Sequence, residues 1–185
     1  MENENPRRMG VDSQTIQSAV EGNQSALAQI YDTYALSIYR YHFSRVTNAS
    51  DAEDLTSQTF MAVIESLARY QHRDNFTAWI FQIARNKVMD HFRRNHSHGE
   101  IHESVVDPAQ GDVLEALVRD ESRARLKSLL HLLDEDEREL IRLRYTAELS
   151  FVEIAQLLGR KEDAVRKAVR RILDRLSIQM EAQNA

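Results

Sequence analysis

Residues that break helices are scarce in this chain, and this scarcity limits the possible folds more than any other feature. The 185 residues include only two prolines and five glycines, which are the residues that most often interrupt a helix. Apolar residues recur at helical spacing, and no segment shows a sustained strand alternation. We therefore predict an all-α fold, with helices at residues 13–21, 24–46, 51–68, 75–94, 112–132, 135–146, 150–158 and 161–180.

One stretch interrupts the helical pattern and divides the chain into two small helical domains. Residues 95–111 lose the apolar periodicity and contain two glycines and a proline, which indicates a flexible acidic linker. The sequence thus predicts a first domain at residues 1–94 and a second at residues 112–185. Histidines cluster in and just before the linker, at His91, His96, His98 and His102. Such sequence is more often merely polar than metal-binding, so we expect no metal site.

Composition excludes several classes of protein. The absence of cysteine excludes disulfides, zinc fingers and thiol redox chemistry. No segment approaches the roughly 18 apolar residues of a membrane span, and the N-terminal MENENPRRMG has no apolar run. We therefore expect a cytoplasmic protein without membrane insertion. No Gly-rich phosphate loop, metal triad or nucleophile arrangement is visible, so we expect no enzyme activity and no cofactor.

The charges are strongly segregated along the chain. The net charge is −5, which by itself argues against a nucleic-acid binder. Residues 160–175, however, contain seven basic and three acidic residues, a local charge of +4. Residues 100–139 contain twelve acids and five basic residues, a local charge of −7. Because salt screens surface fields over about 10 Å, the basic segment can bind phosphates despite the acidic remainder.

The helix predicted at Phe76–Arg94 combines a thick apolar side with a narrow polar strip. The strip is formed by Gln82, Arg85, Asn86, Met89 and Arg93, which share one face. The apolar side is formed by Phe76, Ile80, Ile83, Ala84 and Val88. A helix held from behind in this way can offer amide, guanidinium and aromatic groups to unstacked bases and phosphates.

The segment Leu149–Leu176 has the pattern of a helix-turn-helix. A Ser150–Glu153 capping box starts the first helix, and Gly159 lies where the chain must leave it at positive φ. We expect burial of Ile154, Ala155 and Leu158 in the first helix, and of Val165, Ala168, Val169, Ile172 and Leu176 in the second. The opposite strip presents Asp163, Arg166, Lys167 and Arg170, with Arg171 at the margin, and suits the major groove of DNA. The alternative is an amphipathic hairpin with a solvated charged face.

A third element is the helix predicted from Ser50 to Ala68. A Ser50–Glu53 capping box is expected at its start, and Asp51, Glu53 and Asp54 crowd its first turn, where they interact favourably with the helix dipole. Capping alone would account for these carboxylates. A metal site is not expected, because no histidine or further acid joins them at ligand spacing.

Taken in order, three blocks make the chain resemble a bacterial sigma factor of the extracytoplasmic-function (ECF) class of the sigma-70 family. They are Asp51-Ala52-Glu53-Asp54 with Thr59-Phe60; then Phe76, Trp79, Ile83, Ala84, Asn86, Asp90 and Arg93; then the helix-turn-helix preceded by LLDEDERELIRLRY. The resemblance covers nearly everything from Ser25 to Ile178. It implies two helical domains, the second and fourth sigma domains, which give RNA polymerase its promoter specificity and have no catalytic activity.

The resemblance also implies roles for individual residues. Core polymerase, through its beta-prime and beta subunits, would be contacted by Asp51, Glu53, Asp54 and Gln58. Phe60, in contrast, would belong to the hydrophobic core of the protein. The minus-10 element would be contacted by Tyr70, Trp79, Arg85, Asn86 and Arg93. For Trp79, a melting wedge, a core position and a pocket wall all remain open. The minus-35 element would be contacted by Lys161, Arg166, Lys167, Arg170 and Arg171. An anti-sigma factor is the further expected partner.

Departures from the family pattern leave the exact upstream element open. Ser57 replaces a frequent Gln, Lys161 a frequent helix-capping Ser, and Ala168 a frequent Arg.

The acidic linker either mimics nucleic acid inside the polymerase or is a solvated tether. A stand-alone helix-turn-helix regulator would explain the C-terminus but would leave the helices at Asp51 and Phe76 unused. A helical adaptor or decoy is disfavoured by the basic residues retained on both DNA-facing helices.

Overall fold

The structure is a computed structural model that describes residues 10–70, 75–96, 129–130 and 132–183, without the side chains of residues 95, 96 and 183. The helices are α1 (Ser13–Val20), α2 (Gln24–Val46), α3 (Ala49–Leu67), α4 (Phe76–His96), α5 (Glu135–Ile141), α6 (Phe151–Leu158) and α7 (Glu162–Gln183). Within these ranges there is no strand, so the predicted all-α class is confirmed. The predicted helix at 112–132 and the linker at 95–111 lie almost wholly outside the described residues.

The long helix α2 forms the centre of the N-terminal helices. Its buried residues Ile30, Tyr34, Ile38 and Tyr41 follow one another at helical spacing and are almost fully enclosed. Helices α1, α3 and α4 all pack against it. The predicted buried side of α4 is confirmed for Phe76, Ile80, Ala84 and Val88, while Ile83 is only partly buried.

Helix α3 starts earlier than the sequence analysis predicted. Asn48 is the N-cap residue, in an extended conformation, and its side chain accepts a hydrogen bond of 3.1 Å from the Asp51 backbone amide. The expected Ser50–Glu53 capping box is therefore wrong, because Ser50 already lies inside the first turn. The physical reason is that Asn caps a helix as well as Ser does, and capping at Asn48 extends the helix by two further residues.

The C-terminal helices contain the expected helix-turn-helix. The Ser150–Glu153 capping box is confirmed, since the Ser150 amide donates to Glu153 over 2.7 Å and the Glu153 amide donates to Ser150 over 3.3 Å. Gly159 ends α6 at φ 63°, as predicted. Of the residues expected to be buried, Ile154, Ala155, Val165, Val169 and Ile172 are buried, while Leu158, Ala168 and Leu176 are partly buried.

Helix α5 continues into a π-helical turn at Arg142–Thr146. The Ala147 amide donates to the Arg142 carbonyl, five residues earlier, over 2.9 Å, which is the hydrogen-bond pattern of a π turn. Leu143 in this turn is fully buried. The turn packs against α2, and α6 packs against α4. The N-terminal and C-terminal helices therefore share one continuous core of buried side chains.

His42 is a fully buried polar residue among α2, α3 and α4. Its Nδ1 lies 3.1 Å from the Thr56 hydroxyl and its Nε2 lies 3.3 Å from the Ala84 carbonyl. Burial lowers the pKa of His42 to about 4, although the Ala84 carbonyl acts in the opposite direction. The neutral ring has one N–H, and since a carbonyl can only accept, we assign that hydrogen to Nε2. Nδ1 can then only accept, and the Thr56 hydroxyl, which also lies 2.7 Å from the Ala52 carbonyl, has a single proton to offer these two acceptors.

The free energy of unfolding should fall as the pH drops from about 6.5 to about 4. His42 stays neutral in the fold down to about 4, whereas the unfolded chain takes up the proton below about 6.5. The stabilisation is complete above the higher value and decreases by at most about 1.4 kcal/mol per pH unit between the two. Urea unfolding at a series of pH values measures this. His42→Gln keeps a donor for Ala84 and should flatten the profile; parallel profiles would rule out His42 as the cause.

Gly159→Ala should lower the free energy of unfolding by about 1 kcal/mol, because an L side chain is disfavoured at positive φ. A Cβ added there would meet no atom within 4 Å, so the expected loss comes from the backbone conformation alone. Gly159→Asn is the matched control, since Asn tolerates the left-handed region better. Equal losses for the two variants in urea unfolding would contradict this explanation.

Candidate nucleic-acid interface

The polar strip of α4 faces outward over most of its length. Asn86 and Met89 are exposed, Gln82 is half-buried, and the Gln82 amide donates to the Asn86 side chain over 3.0 Å. Arg93, at the far end, is 77% exposed and pairs with Asp90. Four of the five predicted strip residues therefore form a surface with amide, thioether and guanidinium groups. Arg85, the fifth, behaves differently.

Arg85 is drawn into an ion pair with the C-terminal helices. Its Nε lies 3.4 Å from Oε1 of Glu139 on α5. The Glu139 side chain is only 9% exposed, whereas that of Arg85 is 38% exposed. One of the predicted minus-10 residues is thus paired with a carboxylate of the same chain.

Three aromatic rings form a cluster where α4 begins. The ring centroid of Tyr70 lies 4.8 Å from that of Trp79 and 5.2 Å from that of Phe76, and the Phe76 and Trp79 centroids are 5.2 Å apart. Phe76 is buried, whereas Tyr70 and Trp79 are partly exposed. The cluster is thus anchored in the core by one ring and offers two rings at the surface, beside the polar strip.

The predicted basic strip of α7 is at the surface. All five predicted minus-35 residues are exposed: Lys161, Arg166, Lys167, Arg170 and Arg171. The opposite side of the helix holds the buried Val165, Val169 and Ile172. The division between apolar and basic faces follows the sequence expectation.

Sequence reasoning missed the residue that positions Arg166. The Phe151 ring has the Arg166 guanidinium 4.8 Å from its centroid and the Arg144 guanidinium 4.4 Å from it, distances at which cation–π attraction holds the groups together. Arg166 also pairs with Glu162 one turn earlier. The only sequence signal was an aromatic residue directly after the N-cap Ser150.

The acidic start of α3 lies on a separate surface. Glu53 and Asp54 are exposed, and Asp51 and Gln58 are half-exposed. Further along the same helix, Met61 is 61% exposed and Ile64 is 55% exposed. Sequence reasoning missed these two, because apolar residues at helical spacing are usually assigned to the core. Acidic and apolar groups together suit a protein partner.

Glu139 forms the main polar junction between the two sets of helices. The Tyr41 hydroxyl donates to its Oε1 over 2.8 Å, and Nη1 of Arg45 lies 3.4 Å from its Oε2. Burial, together with the Glu139 charge, raises the pKa of Tyr41 far above its usual range, so the hydroxyl keeps its proton and donates. Arg142 lies 3.8 Å away on the C-terminal side. Tyr41 and Arg45 are 98 and 94 residues from Glu139 in sequence, so no local pattern could reveal these two contacts.

Two classes of site are absent from the part of the chain that the structure covers. No three acidic or histidine side chains are grouped there as a metal ion would require. No helix there has the length and apolar character needed to cross a bilayer. The linker histidines His98 and His102 lie outside the described residues.

Two family models match the chain, one in each set of helices. The model of Sigma-70 region 2 matches residues 30–98, and that of Sigma-70, region 4 matches residues 129–177. The first contains α3 and α4, and the second contains the helix-turn-helix.

Named relatives and one solved structure agree with these matches. The ECF RNA polymerase sigma factor BldN of Streptomyces coelicolor is 34% identical over 160 residues, 82% of this chain but only 59% of BldN. The ECF RNA polymerase sigma factor SigD of Mycobacterium tuberculosis is 30% identical over 87% of this chain and 80% of SigD. CnrH, solved in complex with the cytosolic domain of CnrY, is similar with a TM-score of 0.67 and 25% identity, over 91% of this chain and 96% of CnrH. The chain belongs to the extracytoplasmic-function class of RNA polymerase sigma factors.

Proposed function

We propose that this protein directs promoter-specific transcription initiation by binding core RNA polymerase, recognising the minus-35 and minus-10 elements and assisting promoter melting. One observation carries the proposal: a polar strip on α4 and a basic strip on α7 lie in the segments that match sigma regions 2 and 4. In this proposal residues 1–94 form sigma domain 2, residues 95–111 the linker and residues 112–185 sigma domain 4. The protein itself is not a catalyst, and it acts in the cytoplasm.

The minus-35 element is the proposed ligand of α7. An α-helix fits the major groove, where guanidinium and ammonium groups contact phosphates and guanine edges. The exposure of Lys161, Arg166, Lys167, Arg170 and Arg171 supports this role. The stacking of Arg166 on Phe151 fixes one of these cations before DNA arrives, which lowers the entropy lost on binding.

The minus-10 element is the proposed ligand of α4 and the aromatic cluster. Unstacked bases bind by stacking on aromatic rings and by hydrogen bonds to polar groups. The surface rings of Tyr70 and Trp79 supply the first kind of contact, and Asn86 supplies the second. Arg85 and Arg93 are the proposed phosphate contacts. Because Trp79 packs against two rings, we assign it to the wall of a base pocket rather than to a wedge.

Core polymerase is the proposed partner of α3, through its beta-prime subunit, with further contacts to beta. Asp51, Glu53, Asp54 and Gln58 supply the polar part of this surface. The exposed Met61 and Ile64 add apolar area that a stable protein interface would cover. The complex of the similar protein CnrH with the cytosolic domain of CnrY supports a second protein partner, an anti-sigma factor.

Run-off transcription with bacterial core polymerase and a library of promoter fragments tests the proposed function. Discrete transcripts that require the added protein are the expected result. DNA binding without core, and no polymerase-dependent initiation, would favour a stand-alone regulator instead.

Arg166→Ala combined with Arg170→Ala should weaken binding of a minus-35 duplex by roughly tenfold or more, because each lost contact costs about 1 kcal/mol or more. The dependence of affinity on salt should also fall by about one or two released ions. Fluorescence anisotropy at several salt concentrations measures both. Arg175→Ala is the control, since it removes a cation from the same helix that pairs with Glu137 outside the strip. Equal losses in the two proteins would contradict the assignment.

Asp54→Ala should reduce affinity for core polymerase without changing duplex binding, because the carboxylate is exposed and makes no contribution to the hydrophobic core of the fold. We expect a loss of roughly threefold to tenfold, the range for a charged contact at an interface rim. Competition with a labelled sigma factor for core polymerase measures it. Asp32→Ala, which removes an exposed acid of α2 rather than of α3, should have no effect; an unchanged affinity for Asp54→Ala would exclude this residue from the interface.

A further inference from the structure

The N-terminal helices build a small anion site around the Glu139 carboxylate. Arg45 approaches one oxygen at 3.4 Å, while Arg85 at 3.4 Å and the Tyr41 hydroxyl at 2.8 Å approach the other. Two residues come from α2 and one from α4, so the fold of the N-terminal helices alone brings the three together. The site would persist if the C-terminal helices moved away.

Arg45 is held in place by neighbours other than its acidic partners. Its guanidinium lies 5.4 Å from the centroid of the Phe92 ring, and Nη2 lies 3.7 Å from the Met89 sulfur. Both neighbours belong to α4. The side chain is only 10% exposed, although part of that cover is α5 itself. Arg45 is therefore pre-positioned next to the polar strip of α4.

Among the residues that the structure describes, the cations of this site have no acidic partner on the N-terminal helices themselves. In the described part of the chain, every ion pair of Arg45 and Arg85 is made with Glu135 or Glu139 of α5. In addition, Nε of Arg45 is buried and has no hydrogen-bond acceptor among those residues. A carboxylate has two oxygens and leaves this donor unused, whereas a phosphate offers more acceptor oxygens to guanidinium groups.

Two outer contacts enclose the junction on either side. Arg40 of α2 pairs with Glu148 over 2.9 Å, and the Asn75 amide donates to Gln156 of α6. Both pairs are exposed and contribute little individually. Glu139 is the buried contact of the group, and on its own side Arg142 would remain beside it after separation. Opening the junction therefore leaves neither the carboxylate nor the cations as buried unpaired charges.

We propose that Tyr41, Arg45 and Arg85 form a phosphate site of the minus-10 surface. In the arrangement of this structure, which we call closed because the C-terminal helices pack against the N-terminal helices, Glu139 occupies that phosphate site. DNA phosphate and Glu139 compete for the same donors, so the closed arrangement lowers the affinity of the free protein for the minus-10 strand. The inference rests on the proposed function, because it takes α4 as a DNA-binding helix. It adds Arg45, which no sequence pattern singled out, and an autoinhibitory contact within the chain.

Glu139→Gln tests the competition directly. The probe is a fluorescein-labelled pool of short single-stranded DNA of random sequence, since phosphate contacts do not depend on sequence. The variant should bind about fivefold more tightly or better, the lower range of a coupling between two sites, and its salt dependence should rise by about one released ion. Asp136→Asn removes the same charge from an exposed position of α5 and should bind like the parent. Equal affinities of all three proteins would overturn the proposal.

Arg45→Ala placed in the Glu139→Gln background tests the site itself. If Arg45 holds a phosphate, the second substitution removes the gain in affinity and returns the salt dependence to the parental value. Retention of the full gain would exclude Arg45 from the site.

A chemical lock tests the closed arrangement without altering Glu139. The chain has no cysteine of its own, so Arg40→Cys with Glu148→Cys can be joined by a short bismaleimide. The joined protein should bind the single-stranded pool at least about fivefold more weakly than the same protein before joining, and each single-cysteine protein should be unaffected by the reagent. Undiminished binding by the joined protein would overturn the proposal.

Run-off transcription by the unmodified parent with core polymerase separates this inference from the proposed function. If the parent supports transcription but the lock and Glu139→Gln change nothing, the autoinhibitory contact alone is wrong. If the parent supports none, the proposed function fails instead.

Discussion

The arrangement of the helices depends on how one buried carboxylate is compensated. Removing a carboxylate from water costs several kcal/mol unless charged and hydrogen-bonding partners replace the solvent. For Glu139 those partners are Tyr41, Arg45 and Arg85 on one side and Arg142 on the other. Three of the four belong to the N-terminal helices, so burial of this charge and packing of the two sets of helices require each other. Loss of the packing would leave the Glu139 charge without these partners, and loss of the Glu139 charge would weaken the packing.

This arrangement treats the three proposed binding surfaces differently. The acidic start of α3 and the basic strip of α7 remain exposed, so polymerase and duplex DNA have access to them in the closed form. The strip of α4 is partly engaged, because Arg85 is paired with Glu139 while Asn86 and Arg93 lie exposed at the surface. Binding of polymerase by α3 can therefore precede separation of the helices. The order of polymerase binding and helix separation would thus be set by which surfaces are already exposed.

Local features of the sequence predicted local structure well. Apolar spacing was sufficient for the buried side of α4, and a Ser followed three residues later by Glu was sufficient for the start of α6. The same pattern failed at Ser50, because Asn48 offered an equally good cap two residues earlier. Contacts between distant residues could not be predicted in this way. Arg45 and Glu139 are 94 residues apart, and a charged residue in a helix is usually solvated.

The π-helical turn at Arg142–Thr146 has a geometric consequence for the whole C-terminal half. Glu139 lies just before this turn, and the helix-turn-helix follows it. A π turn contains one residue more than an α turn, and one residue corresponds to about 100° of rotation around a helix axis. The extra residue thus sets the angle, measured around the helix axis, between the Glu139 carboxylate and the basic strip of α7. Deleting it would point that strip in another direction while leaving every side chain of the strip unchanged.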